Sequence, residues 1–285
     1  MNSQMRKILR VIEPQIVLEG AGVKLRRSIA TPLLDYLDPF LLFDHFGSDN
    51  PSDYLAGFPM HPHRGIETVT YMLDGMVNHR DSIGNSGIIE AGDVQWMTSG
   101  RGIMHEEMPQ PRNGKMEGFQ LWVNLPAKMK MTAPRYQEIA SEDIPEIIRS
   151  DGVKIRVVAG NLDGVSGPVK EIVVSPTYLD MTIPENSSLV YSIDKDSTAF
   201  AYVIEGEAIF EAQCARIVEP VAYHKLIVFG EGDYINVLTK EKNVRFLLIS
   251  GKPIFEPIAR FGPFVMNTRE EIEQALRDLR EGKFV

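Results

Sequence analysis

Short apolar runs separated by turn-forming residues fill the chain up to about residue 250. Runs of this kind, rich in Val, Ile, Thr and Tyr and bounded by Gly, Asp, Asn or Pro, are typical of β-strands. They predict strands over residues 66–73, 118–124, 153–159, 199–204 and 245–249. The dipeptides Asp74-Gly75 and Glu205-Gly206 lie between apolar runs and predict two tight turns.

The C-terminal segment has a different periodicity, which predicts a short helix. Asn267 or Thr268 is a suitable N-cap, acidic residues follow in the first turn, and Gly282 would end the helix. Four apolar residues recur at the spacing of one helical face: Ile272, Ala275, Leu276 and Leu279.

A weak internal repeat organises the rest of the chain. Residues 68–75 (TVTYMLDG) resemble residues 199–206 (AFAYVIEG), and residues 91–97 (AGDVQWM) resemble residues 231–237 (EGDYINV). Repeated hairpins without helices between them favour antiparallel barrels or jelly rolls over a parallel sheet. We therefore predict an all-β protein of two β-barrel domains, residues 1–140 and residues 141–285, with the helix at the C-terminal end.

Composition and charge exclude several classes of partner. The 285 residues are 44% hydrophobic and 24% charged, which suits a soluble globular protein of about two domains. A formal net charge of −9 argues against direct nucleic-acid binding and against anionic membranes. The adjacent Arg26 and Arg27 are the nearest candidate for a basic patch, although such a pair is more often a solvated strand edge.

Cysteine usage and hydropathy point to the cytoplasm. Cys214 is the one cysteine, so no internal disulfide can form, and this suits a reducing compartment. The apolar residues near the N-terminus are interrupted too often for a signal peptide. No apolar stretch is long enough to span a bilayer.

Two pairs of residues carry the candidate chemistry. His61 and His63 are two apart, and so are His105 and Glu107 about 40 residues later. Side chains at i and i+2 of a strand share a face, so each pair can reach one point, whereas Glu106 would point away. If both strands line one barrel interior, three imidazoles and a carboxylate converge. This donor set suits Fe(II), Mn(II), Ni(II), Zn(II) or Cu(II) and leaves positions for substrate or O2.

Simpler interpretations compete with this site. A lone His-x-His is common without metal, His105 could be a core histidine, and Glu107 could be a solvated charge. Glu67 has the parity of His63 and is a rival fourth ligand. Of the other histidines, His79 is expected to be an exposed strand residue, while His45 and His224 are expected to be structural.

The order of these motifs resembles the pirin family, a two-domain branch of the cupin superfamily. His-x-His with Glu four residues on, followed by Gly and then Gly-x-x-His, is similar to the two cupin metal motifs. The stretches that carry the closer likeness to pirin are residues 26–29 (RRSI), 37–44 (LDPFLLFD), 61–65 (HPHRG), 92–109 (GDVQWMTSGRGIMHEEMP), 120–125 (QLWVNL), 251–257 (GKPIFEP) and 262–268 (GPFVMNT).

The resemblance implies a ligand set and a function. It implies one iron ion held by His61, His63, His105 and Glu107, with Glu67 left out of the ligand set. It also implies that the protein opens flavonols such as quercetin with O2, as some family members do, bacterial ones included. Other members are described as redox-responsive regulators of protein partners, either transcriptional cofactors or regulators of metabolic enzymes, and this is the alternative function.

We expect an enzyme, with Glu107 as the catalytic group that takes the flavonol hydroxyl proton by loosening from the metal. Met97, Phe119 and Trp122 are expected either to line the substrate pocket or to belong to the barrel core.

The second half of the repeat lacks these ligands, so one metal ion per chain is expected. Aligning the acidic-Gly dipeptides places Ser192, Asp194 and Thr198 opposite His61, His63 and Glu67. Aligning the Gly-Asp dipeptides places Arg245 and Leu247 opposite His105 and Glu107.

Overall fold

The structure is a computed structural model that describes residues 3–110, 114–174, 176–210 and 219–285. Cys214 lies outside these residues. Strands dominate the described chain and run in the following order: β1 (Ile8–Ile12), β2 (Gln15–Glu19), β3 (Val23–Ile29), β4 (Phe40–Ser48), β5 (Phe58–His63), β6 (Ile66–Asp74), β7 (Met76–Asp81), β8 (Ser86–Glu90), β9 (Val94–Thr98), β10 (Ile103–Gln110), β11 (Met116–Asn124), β12 (Arg135–Ile139), β13 (Glu146–Ile148), β14 (Lys154–Ala159), β15 (Asn161–Leu162), β16 (Val165–Ser166), β17 (Thr177–Ile183), β18 (Ser188–Ser192), β19 (Thr198–Ala208), β20 (Val221–Ala222), β21 (Leu226–Phe229), β22 (Tyr234–Leu238), β23 (Val244–Gly251), β24 (Ala259–Phe261) and β25 (Phe264–Met266).

Helices are short and few in the described part of the chain. Three 3-10 helices lie at Pro51–Asp53, Ala127–Met129 and Ser141–Asp143, and helix α1 covers Arg269–Arg280. No helix among the described residues is both long and apolar enough to cross a membrane.

The chain forms two compact units, each made of two segments. The N-unit comprises Gln15–Ser141 and Ile254–Val285, and the C-unit comprises Met1–Pro14 and Glu142–Pro253. These limits differ from the predicted domains of residues 1–140 and 141–285, because each terminal segment packs with the opposite half. In the C-unit β1 pairs with β21, and in the N-unit Val265 of β25 packs against Leu41 and Ile66.

The N-unit contains two antiparallel sheets around one core. A seven-stranded sheet has the order β12-β9-β6-β11-β4-β3-β2, and a four-stranded sheet has the order β5-β10-β7-β8. Side chains from both sheets meet in a buried cluster of Val23, Leu25, Tyr54, Met72, Val77, Ile89 and Met116. Two antiparallel sheets that share one apolar interior are the layered β-barrel arrangement predicted for the first half.

The C-unit repeats this arrangement. Its large sheet has the order β1-β21-β19-β23-β17-β14-β13, with β20 paired to β19, and β18 pairs separately with β22. Leu189, Tyr191, Ile235 and Val237 of the small pair are buried in the same core as residues of the large sheet such as Phe246. The prediction of two cupin barrels is confirmed.

The two predicted turns have different outcomes. Asp74 ends β6 and Gly75, with φ of +77°, leads into β7, as expected for a tight turn. Glu205-Gly206 instead lies inside β19, so the prediction of a turn there is wrong. The register of β19 with β23 shifts between Val203 and Glu205, and Gly206 has φ of +70°, which indicates a β-bulge within a continuing strand.

The C-terminal helix follows its sequence signals. Thr268 is the N-cap of α1, and its side chain and that of Glu271 form a reciprocal capping box. Ile272 and Ala275 are buried on the predicted apolar face. They pack in one cluster with Phe264, Met266 and Phe284.

Candidate metal centre

The pairing of β5 with β10 brings the predicted histidines to one face. His61 lies opposite His105, and His63 lies opposite Ile103. Directly opposed residues of antiparallel strands share a face, and so do residues two apart on one strand. The register therefore points all three imidazoles toward the same side of the small sheet.

The three imidazoles converge closely. One ring nitrogen from each of His61, His63 and His105 lies within 4.8 Å of those of the other two. The ring centroids are 4.4 Å apart for His61 and His105, 4.9 Å for His61 and His63, and 5.1 Å for His63 and His105. Across residues 3–110, 114–174, 176–210 and 219–285, no other group of three His, Cys, Asp or Glu side chains comes together in this way.

Burial disfavours the charged form of the two more deeply buried rings, His63 and His105. Burial lowers the pKa of His63 and of His105 well below the usual histidine value, and the neighbouring imidazoles lower both further. His61 is half-buried, and its Nδ1 lies 2.9 Å from the carbonyl oxygen of Pro59. If Nδ1 carries the hydrogen that this bond needs, Nε2 is left with a lone pair, and it lies 3.1 Å from Nε2 of His63.

His105 tests whether the cluster fits a metal ion. It is 1% exposed, and neither Nδ1 nor Nε2 has a hydrogen-bond partner among the described residues. A buried polar group without a partner is costly, so such groups call for an explanation. A transition-metal ion held by the three imidazoles would provide one, and a neutral imidazole set is what such an ion needs.

Glu107 faces the same space from a slightly different position. A register shift on β5 places Glu107 opposite Phe58, and Thr70 Oγ1 lies 3.1 Å from its Oε1. Burial raises the pKa of Glu107, against the influence of His61 and the hydroxyl of Thr70. Its carboxylate is not among the atoms that lie within 4.8 Å of one another in the histidine cluster. The assignment of Glu107 as fourth ligand therefore stays a prediction.

Glu67 is engaged elsewhere. It lies on β6 and accepts hydrogen bonds from Trp96 Nε1 at 3.0 Å and Thr98 Oγ1 at 2.9 Å. The parity that relates it to His63 does not hold, because Gly65, with φ of +81°, separates β5 from β6. Glu67 is thus a buried structural carboxylate of the large sheet.

Two expectations about other residues are wrong. His79 is buried, with Nε2 2.7 Å from Glu138 Oε1, rather than exposed. Arg27 is not a solvated edge residue, because β3 lies between β2 and β4. Arg27 Nε and Nη2 donate to Asp44, and its Nη1 donates to Glu19.

A cavity of about 490 Å³ opens beside the histidines within the N-unit. His61, His63 and Glu107 line it together with aromatic side chains, among them Trp122. Trp122 lies edge-on to His63 at 5.1 Å. Met97 and Phe119 are fully buried and do not line the cavity, so of the three proposed pocket residues only Trp122 reaches it.

Sequence reasoning missed the polar residues of the cavity wall. Thr70, Gln120, Asp44 and Arg27 all line it, together with Arg260 from the C-terminal segment. The position of these side chains on the cavity wall depends on which strands pair and in which register. No local sequence motif predicts this pairing.

The strand order corrects the alignment of the second half. Comparing the sheets places β23 at the position of β11 and the pair β18-β22 at the position of β5-β10. Arg245 and Leu247, on β23, therefore do not correspond to His105 and Glu107, and Arg245 instead pairs with Asp180. The buried residues of β18 and β22 are Leu189, Tyr191, Ile235 and Val237, which offer no imidazole or carboxylate.

The fold and the site define a class of protein: a two-barrel cupin whose described residues contain one histidine cluster, in the first barrel. The chain belongs to the pirin family. It matches the Pirin family model over residues 22–123 and the model of the Pirin C-terminal cupin domain over residues 178–285.

Relatives of known name span the full chain. A Pseudomonas aeruginosa protein with the provisional name quercetin 2,3-dioxygenase is 44% identical over 284 residues, covering 98% of each chain. Human Pirin is 44% identical over 268 residues, covering 93% of this chain and 89% of its own. A crystal structure of quercetin 2,3-dioxygenase from Acinetobacter baumannii superposes with a TM-score of 0.88 at 33% identity, covering 99% of each chain.

Proposed function

We propose that this protein is a metal-dependent dioxygenase that opens flavonols such as quercetin with O2. The observation that carries the proposal is His105, a buried imidazole without hydrogen-bond partners, beside a cavity large enough for a small aromatic molecule. The names of the Pseudomonas and Acinetobacter relatives support the choice of substrate.

His61, His63, His105 and Glu107 would hold the metal ion. Nitrogen and oxygen donors without thiolate suit Fe(II), which we propose from the likeness to pirin, and they are also compatible with Mn, Ni, Cu and Zn. When bound, the ion would act as a Lewis acid that lowers the pKa of a coordinated hydroxyl.

The chain's own residues would bind and deprotonate the flavonol. Trp122 and Phe58 offer aromatic surface for its rings, and both line the cavity. Glu107 would accept the proton of the 3-hydroxyl at a carboxylate oxygen, since a carboxylate leaves a metal more readily than an imidazole does. Thr70 holds one oxygen of Glu107, which fixes the direction from which the proton is accepted.

Oxygen consumption by iron-loaded protein tests this proposal. We expect uptake with quercetin, and we expect Glu107→Gln to slow it by about 10²–10⁴-fold, the usual contribution of a general base. Iron content is measured for both proteins, so that lost metal is not mistaken for lost proton transfer. Equal rates at equal iron content would remove Glu107 from the chemistry. No oxygen uptake by wild-type protein loaded in turn with Fe, Mn, Ni, Cu or Zn would overturn the dioxygenase proposal.

The alternative function, a redox-responsive regulator of a protein partner, gains no specific support from the described residues.

A further inference from the structure

A row of polar side chains crosses the large sheet of the N-unit and ends beside Glu107. Arg27 lies opposite Asp44, Asp44 opposite Gln120, and Gln120 opposite Thr70. Opposed residues of neighbouring strands share a face, and all four side chains line the cavity. The row therefore forms a polar stripe on a wall that is otherwise largely apolar.

Thr70 connects Gln120 to Glu107. Its Oγ1 lies 3.1 Å from Glu107 Oε1 and 2.7 Å from Gln120 Oε1. A hydroxyl has one hydrogen to donate, so it cannot donate to both oxygens. A carboxylate that serves as a metal ligand only accepts hydrogen bonds, so Thr70 must donate to Glu107 and accept from Gln120.

The direction of these two hydrogen bonds determines which end of the Gln120 amide faces the cavity. The oxygen and nitrogen of an amide are exchanged by a half-turn and are assigned from their hydrogen-bond network. If the nitrogen donates to Thr70, the amide oxygen points into the cavity. The second amide atom of Gln120 has no hydrogen-bond partner among the described residues, and both oxygens of its neighbour Asp44 already accept from Arg27.

We propose that Gln120 is a specificity-determining residue whose amide oxygen accepts a hydrogen bond from a phenolic hydroxyl of the substrate. The preferred class is then polyhydroxylated flavonols, rather than flavonols whose other hydroxyls are absent or methylated. This inference rests on the proposed function, because it takes Glu107 as a metal-ligating carboxylate and a flavonol as the ligand.

Anaerobic binding to the iron-loaded full-length protein tests it by calorimetry. The probes are quercetin, its 5,7,3′,4′-tetramethyl ether and 3-hydroxyflavone, all of which keep the 3-hydroxyl and the 4-keto group. We expect wild-type protein to bind quercetin about five- to tenfold more tightly than the other two, as one neutral hydrogen bond allows. Gln120→Leu should reduce this preference to about twofold or less.

Thr70 variants test the orientation of the amide separately. Thr70→Val leaves both amide ends of Gln120 free to face the cavity, so the preference should fall. Thr70→Ser keeps the hydroxyl and should keep the preference. Iron content and melting temperature are measured for every variant, so a misfolded Gln120→Leu protein is recognised. In that case the comparison of Thr70→Val with Thr70→Ser still tests whether the Gln120 amide selects the substrate.

The outcomes separate the two proposals. Wild-type protein that binds none of the three flavonols would overturn the proposed function and the role of Gln120 together. Equal affinity of wild-type protein for all three probes would overturn the role of Gln120 alone. A preference that survives in Gln120→Leu would also overturn it, because the cavity shape rather than the amide would then select quercetin.

Discussion

His105 shows how the site depends on a conflict within a single residue. Its ring is buried beside His61 and His63, and burial lowers its pKa, which favours the uncharged form. Neither nitrogen has a partner in the described part of the chain. The metal-free protein therefore carries an unfavourable polar group, and a bound cation would satisfy one of its two nitrogens.

Replacing His105 by an apolar residue should separate stability from metal binding. We expect His105→Leu to match or exceed the wild-type free energy of unfolding without metal, by up to about 1 kcal/mol, because a buried unpaired polar group is removed. Urea denaturation with and without iron measures both effects, and the metal should stabilise the wild-type protein but not His105→Leu. His79→Leu is the matched control, since its loss breaks the bond to Glu138 and should destabilise the protein. A loss of more than about 2 kcal/mol in metal-free His105→Leu would show that the ring makes a favourable contribution of its own.

The alternation of strand residues predicts the histidines but not the whole site. The spacing of two residues is enough to pair His61 with His63 and His105 with Glu107, because each pair lies on one strand. Glu67 could not be excluded in the same way. Counting alternate residues assumes one continuous strand, and it does not reveal the backbone turn at Gly65. Thr70 and Gln120 escaped notice because their role depends on pairing between β6 and β11, which are distant in sequence.

At the level of elements, a side-chain hydrogen bond between β4 and β11 stabilises the large sheet of the N-unit. Glu117 on β11 lies 3.2 Å from His45 Nε2 on β4 and 2.9 Å from Lys115 Nζ. These two groups lower the pKa of Glu117 to about 2. Burial lowers the pKa of His45, so the neutral ring with its hydrogen on Nε2 is the donor.

This shift predicts a loss of stability in acid. A carboxyl group with a lowered pKa in the folded state contributes stability above its unfolded pKa of about 4.3, and this contribution is lost as the pH falls toward about 2. Glu117→Gln should therefore lower the free energy of unfolding at pH 6 by about 2 kcal/mol and show a smaller loss than wild type between pH 5 and pH 2.5. Urea denaturation across this range measures both slopes. Glu273→Gln on the helix serves as control, and parallel slopes for wild type and Glu117→Gln would contradict the prediction.

At the scale of the whole molecule, the repeat predicts two barrels but not where the terminal segments belong. Patterns within residues 68–75 and 199–206 are local and survive in sequence. The placement of β1 against β21, and of Val265 against Leu41, depends on packing between segments that are more than 200 residues apart. The Gly-Asp alignment erred for a related reason. The dipeptide match placed β22, which directly follows Gly232-Asp233, opposite β9, whereas the strand order of the two large sheets places β21 there.

Arg6 offers a test of how firmly the N-terminal segment stabilises the C-unit. Its side chain is 1% exposed and donates to the backbone oxygens of Gly230, Asp194 and Lys195. Arg6→Ala would leave these carbonyl groups without their donor, so we expect a loss of about 2–4 kcal/mol in the free energy of unfolding. Hydrogen exchange measured by mass spectrometry should speed up in peptides that cover β21 and β22 more than in peptides that cover β5 and β10. Lys7→Ala, at an exposed neighbouring position, is the control. Unchanged exchange in β21 and β22 would mean that strand pairing of β1 holds the segment without Arg6.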